Sequence, residues 1–266
     1  MLSNSPTVLP IETHHDMRPP LTNPSKDDAV HRCVVNRRLY QISSANSCGQ
    51  RSSASSLIHR MYATRGYVSA ALPDEPPPTR MTLVASDHDT TVATLSIGFD
   101  SPMGLHVDAL FLPEVDVLRQ AGRQVCEFTS LAMDQLVRSR RVLASLFHMA
   151  YIHAHRVRGF DTLLIEVNPR HVLYYRRMLG FEVMASQRHS ARVEAPAVLL
   201  GVNFSYIRDQ IERLGGSLDG APGERSMYPD FFSPSEEAFI VPRLMPVNHE
   251  AHEAAPRGAA PRVLQA

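Results

Sequence analysis

The stretch "NPRHVLYYRRMLGFE", Asn168 to Glu182, decides how this chain is read. An asparagine side chain can cap a first helical turn, and proline just after it forfeits no hydrogen bond, because that N–H has no partner inside the helix. Gly180 supplies the usual stop, and Phe181 starts an apolar return. Immediately before this helix, "DTLLIEV" (161–167) is nearly all apolar, the pattern of a strand buried on both faces of a parallel sheet. Further back, Val142, Leu143, Leu146, Phe147, Ala150, Tyr151, Ala154 and Val157 trace one helical face that Gly159 ends. The spacing predicts strand, helix, strand and helix from Val125 onward, followed by "FEVMAS" and "APAVLLGVN" as two last strands.

The N-terminal half reads differently. "CVVNRRLYQIS" predicts a strand, and "SASSLIHRMYATRGY" a helix through Leu57, Ile58, Met61 and Tyr62. After a proline loop from Leu72 to Arg80, "MTLVAS" and "TVATLSIGFD" form a hairpin around "DHDT". Pro102, Gly104, Pro113 and Gly122 then break the chain into short pieces that should cover the sheet. "VCEFTSLAMD" (125–134) is the next strand. The whole order predicts an α/β fold, a mixed sheet with helices on both faces.

With 266 residues, 44% of them apolar, and a formal net charge of zero, the chain can build one large core and is poorly suited to non-specific nucleic-acid binding. No apolar run reaches a membrane span, and the N-terminus lacks the regions of a signal peptide, so a cytoplasmic location is expected. Three cysteines without CxxC spacing predict reduced, structural thiols. Composition suggests disordered tails at 1–30 and 246–266, a domain over 31–216 and an extension over 217–245. In that extension Ser233, Pro234 and Glu236 start a short helix with Phe231, Phe232, Phe239 and Ile240 on or near its apolar side.

Asn168, Pro169, Tyr175 and the Leu179-Gly180-Phe181 ending resemble the closing helix of the GCN5-related N-acyltransferase (GNAT) fold, which implies a splayed sheet. The run "TVATLSIGFDSPMGLHVDALFLPEVDVLRQAGRQVCEFTSLAMD" resembles the core of the N-acyl amino acid synthases, which are similar to acyl-homoserine lactone synthases. The resemblance implies a fatty acyl donor on acyl carrier protein, an acyl-phosphopantetheine thioester, no tightly bound cofactor, and an amino acid as acceptor. It further implies that Glu127 lies beside the thioester as a base and that Tyr175 is the acid for the departing sulfur. Thr129 takes the place of a hydroxylated residue, and Ser130 stands where relatives often have arginine. Asn168 and Asp108 would approach the substrates.

Each residue has a plainer reading. Glu127 could be a structural carboxylate paired with Arg123 or another cation, Tyr175 could fill core space, and Asn168 could only cap its helix. Asp108 could serve the covering segment, and Cys126 points away from Glu127, which excludes it as a nucleophile there. "LVRSRRVLASLFH" (136–148) has no glycine to cradle a pyrophosphate, so Arg138, Arg140 and Arg141 suit a phosphopantetheine phosphate and an acidic carrier protein, or form an ordinary solvated helix start. His148, His153 and His155 lie on one predicted helix but cannot close on one ion: the first and last share a face about 10 Å apart, and His153 faces away. No metal site is predicted. Two alternatives remain open: an acetyl-coenzyme A dependent N-acetyltransferase, and a catalytically silent relative that binds a lipid or carrier protein.

Overall fold

The structure, a computed structural model, describes residues 31–35, 38–137, 139–217 and 223–245. The predicted tails at 1–30 and 246–266 lie outside the described residues, as do residues 218–222 of the extension. The strands are β1 (His31–Val35), β2 (Arg38–Ser44), β3 (Arg80–Asp87), β4 (Thr90–Phe99), β5 (Val125–Met133), β6 (Thr162–Val167), β7 (Glu182–Ser190) and β8 (Ala195–Asn203). They form one sheet in the order β1-β2-β3-β4-β5-β6-β8-β7, antiparallel throughout except for β5 beside β6. The helices are α1 (Cys48–Ala63), α2 (Asp108–Gln120), α3 (Arg140–Tyr151), α4 (Val172–Leu179), α5 (Phe204–Leu214) and α6 (Pro234–Leu244).

Strand alternation sorts the core onto two faces. Leu83, Ala85, Leu95 and Ile97 of β3 and β4 pack with Val142, Leu146 and Met149 of α3. On the other face Val84 meets Ala54, and Ala132 of β5 meets Leu57, Ile58 and Met61 of α1. Helix α2 covers the same face further along, packing Phe111 and Val115 on Val125, Leu164 and Leu199. At roughly 1.5–3 kcal/mol for each fully buried large apolar side chain, these two layers supply the main drive to fold.

Four elements differ from the expectation. The first strand is a hairpin, β1 with β2. The covering segment contains a 13-residue helix, α2, bent at Phe111 (φ −128°) two residues before Pro113, whose ring crowds the preceding turn. Helix α3 continues as a π-helical turn, Ile152–Val157, before Gly159. Helix α5 was not anticipated, although Ile207, Ile211 and Leu214 recur at helical spacing and are buried.

The helix start read at Ser233 is present as a full capping box with Glu236. Phe231, Phe232 and Ile240 are buried, whereas Phe239 is exposed under the Arg243 guanidinium, 3.2 Å from its ring centre. A buried His148 anchors α6. Its Nε2 lies 3.1 Å from Glu237 Oε2, and its Nδ1 accepts the Phe232 N–H at 3.0 Å. That acceptor bond fixes the neutral tautomer, with the proton on Nε2.

Candidate active site

The parallel ladder is short. Val125 pairs with Thr162, Cys126 with Leu163 and Glu127 with Leu164, and beyond them β5 and β6 part. β5 turns aside at Ser130, whose φ of 52° is left-handed, opposite a register shift in β4 between Thr94 and Ser96. A bulge of this kind bends one strand away from its neighbour. The Thr94 hydroxyl holds the bend by donating to the Ser130 carbonyl at 2.8 Å.

The gap is a cavity of about 350 Å³ with walls on both sheet faces. On the α3 face it is apolar, lined by Leu95, Phe128, Leu143, Phe147, Ile165 and Val167. On the α1 face it is polar and aromatic, lined by Tyr62, Arg65, Glu127, Thr129, Glu166 and Arg192. Asn168, Tyr174 and Tyr175 close it at the end of β6 and the start of α4. Such a volume, with few convergent polar groups, is that of a small-molecule site.

Glu127 is completely buried. Its Oε1 accepts from Arg80 Nη2 at 2.7 Å and from the His106 N–H at 3.0 Å, while Oε2 accepts the Val107 N–H at 3.0 Å. The carboxylate therefore has a cation partner, Arg80 of β3, and anchors the loop leading into α2. Arg123, the partner named from the sequence, instead meets Thr162 and Asp161. Arg80 Nη1 also donates to the Thr129 hydroxyl at 3.1 Å, joining the two site residues into one network. The His106 imidazole lies 3.9 Å from Glu127 Oε1; burial lowers its pKa, against the pull of that carboxylate.

Tyr175 has no hydrogen-bond partner among the described residues for its hydroxyl, which leaves it free to donate. Its ring packs edge-on against Tyr174 and Phe181, and burial pushes the phenol well up, so it stays protonated at neutral pH. Asn168 lines the cavity, and its Oδ1 accepts from the Arg170 N–H at 3.2 Å, the cap read from its type. Cys126 lies on the opposite face, in the core, with its thiol pKa raised by burial. That orientation agrees with strand alternation.

Other residues fall elsewhere. Asp108 does not line the cavity: its Oδ2 accepts from the Leu105 N–H and from Arg119 Nη2, each at 2.7 Å, so it serves the turn before α2. Arg140 is held by the C-terminal segment, through Asp230 at 2.7 Å and the Ser226 carbonyl. Its guanidinium is nonetheless exposed. Arg141 is half-buried at the start of α3, and Arg138 lies outside the described residues. Among the described residues no three His, Cys, Asp or Glu side chains gather as metal ligands. His148 is taken by Glu237, His155 Nδ1 meets the Phe160 carbonyl at 2.6 Å, and His153 is buried without a hydrogen-bond partner among the described residues, its pKa lowered to about 4, chiefly by burial.

Arg80, Gly98, Arg65 and Arg192 were missed. A lone glycine within the alternating strand "TVATLSIGFD" was the available signal for Gly98, since it marks close approach of another group.

Residues 53–203 match the family model described as N-acyl amino acid synthase FeeM. Among solved structures, FeeM, an N-acyl amino acid synthase from uncultured soil microbes, superposes with a TM-score of 0.59 at 24% identity, covering 65% of this chain and 95% of that one. The acyl-homoserine lactone synthase LasI gives 0.44 at 10% identity, over 66% of this chain and 91% of that one. A GNAT-family acetyltransferase from Streptococcus pneumoniae gives 0.45 at 12%, over 62% and 98%. No curated protein sequence matched significantly. The sheet thus shares the fold of that FeeM structure, and it has the expected splay.

Proposed function

The chain belongs to the N-acyl amino acid synthase FeeM family, and we propose that it transfers a long-chain fatty acyl group from acyl carrier protein to the amine of an amino acid. The observation that carries this reading is the two-sided cavity at the β5–β6 splay, apolar toward α3 and charged toward α1. An acyl chain fits the first half, and a zwitterionic amine the second.

Aminolysis of a thioester needs a neutral nitrogen, donors for the oxyanion and protonation of the leaving sulfur. In this reading the carbonyl carbon sits in the splay, where backbone N–H groups of β5 beyond Glu127 face it. The amine approaches from the α1 face and passes its proton toward Glu127, whose Oε2 accepts only one hydrogen bond from the described residues. Arg80 and the two loop N–H groups keep that carboxylate from turning away. Tyr175 donates its proton to the sulfur as the C–S bond breaks, and the new C–N bond needs no covalent enzyme intermediate. Phosphopantetheine would arrive past the start of α3, with Arg141 near its phosphate.

The test is mass spectrometry of reactions supplied with charged acyl carrier protein or acyl-coenzyme A and a mixture of amino acids. An N-acyl amino acid formed from the carrier-protein donor, and lost with Glu127→Ala, supports the reading. Acetylated products made from acetyl-coenzyme A alone would replace it with an N-acetyltransferase, and no turnover by folded protein would leave a binding protein.

A further inference from the structure

Resting on the acyltransferase reading, we propose that Arg65 and Arg192 form a recognition site for the acceptor's α-carboxylate at the polar mouth of the cavity. The site selects amino acids over amines that lack a carboxylate.

Glu127 is matched by Arg80. Glu166, on β6, has a side chain only 5% exposed and is matched by Arg192 through one contact of 3.3 Å. Arg65 lines the same cavity and has no ion-pair partner among the described residues. The polar half therefore holds one guanidinium in excess, exposed at the mouth of the cavity where the anionic group of a ligand can reach it.

The two arginines come from separate turns. Arg65 follows the C-terminal end of α1, and Arg192 sits in the turn between β7 and β8. Both line the same cavity wall as Tyr62. Each guanidinium carries five N–H donors in a planar fork, so the single Glu166 contact leaves Arg192 with donors to spare. Glu166 fixes its aim without consuming it. A carboxylate has acceptor sites enough for both forks, and charge-assisted Arg–carboxylate hydrogen bonds are among the strong ones.

The arrangement also orients the acceptor. An amino acid carries its amine and its carboxylate on one carbon. With the carboxylate on Arg65 and Arg192 at the mouth, the nitrogen points inward toward Glu127 and the splay. An amine without a carboxylate leaves Arg65 unmatched and its own nitrogen unplaced.

The test measures binding of the reaction's product class, which needs no turnover. N-dodecanoylglycine and its methyl ester are titrated calorimetrically into the wild-type full chain and into Arg65→Met, Arg192→Met and Arg65→Lys variants whose folding is checked by circular dichroism. Wild type should bind the free acid about tenfold or more tighter than the ester, the scale of a charge-assisted pair. The Met variants should bring that ratio close to one, and Arg65→Lys should keep part of it. Equal affinity of wild type for acid and ester overturns the carboxylate site while leaving the acyl site standing, as does an undiminished ratio in both Met variants. Failure of wild type to bind either compound overturns the acyltransferase reading, and this site with it.

Discussion

Arg80 of β3 reaches over β4 to Glu127 of β5, placing Nη2 2.7 Å from Oε1, and it can do so because Gly98 stands between them. The register sets Arg80 opposite Gly98 and Gly98 opposite Glu127. A Cβ at 98 would lie 2.7 Å from Glu127 Cγ and Oε1 and 3.1 Å from Arg80 Nη2. Three adjacent strands are thus joined through a missing side chain. Gly98→Ala should cost about 1–3 kcal/mol by overpacking and loosen the Glu127 network. Denaturant unfolding measures the first effect, and unchanged stability would mean that the pair reorganises freely.

Glu127→Ala removes a fully buried charge and strands Arg80 and two backbone donors. Breaking a buried pair typically costs about 3–5 kcal/mol. Glu127→Gln keeps the shape and should lower turnover by about 10² to 10⁴ if the carboxylate accepts the amine proton. Full activity in folded Glu127→Gln would reduce Glu127 to an anchor of the α2 loop.

Tyr175→Phe tests sulfur protonation. The rate with an alkyl thioester should fall by about 10²-fold or more. With an aryl thioester, whose thiolate leaves unaided, the deficit should shrink. A deficit equal for both donors would assign Tyr175 to packing.

The apolar half of the cavity ends at Phe128 and Phe147, whose ring centres are 6.3 Å apart. Behind them lies a small second space lined by Tyr151, Leu163 and Phe231. Phe147→Ala should join the two spaces and shift products toward longer acyl chains, at a stability cost of about 3–5 kcal/mol. Competition among donors of graded length, read by mass spectrometry, checks this; an unchanged distribution places the chain elsewhere.

Acid should destabilise the protein through its buried histidines. Burial lowers the pKa of His148, and that of His153 to about 4, below their ordinary value of 6.5. Between those values the unfolded chain binds more protons than the native one, so stability rises with pH there. Their contribution is complete above about pH 6.5 and is lost as pH falls below it, for His153 down to about 4. His148→Gln should flatten this profile and loosen α6, measured as thermal midpoints across pH.

Much of the site was legible because alternation is local. Cys126 and Glu127 had to face opposite ways on any strand, and Asn168-Pro169 had to start a helix wherever the strand before it ended. The capping box at Ser233 is equally self-contained. Helix α2 was hidden because proline and glycine signal breaks, while burial of Phe111 and Val115 outweighs one bent turn.

The sequence by itself determined the parallel β5-α3-β6 unit, the face on which Glu127 lies and the family resemblance. Only the tertiary structure decided which cation meets Glu127, that Arg140 belongs to the C-terminal segment, that Asp108 serves a turn, and where the cavity opens. Helical and strand periods are set by the backbone over a few residues. Arg80 and Glu127, 47 positions apart, meet only through the register of three strands, and a cavity is a space that no single residue encodes.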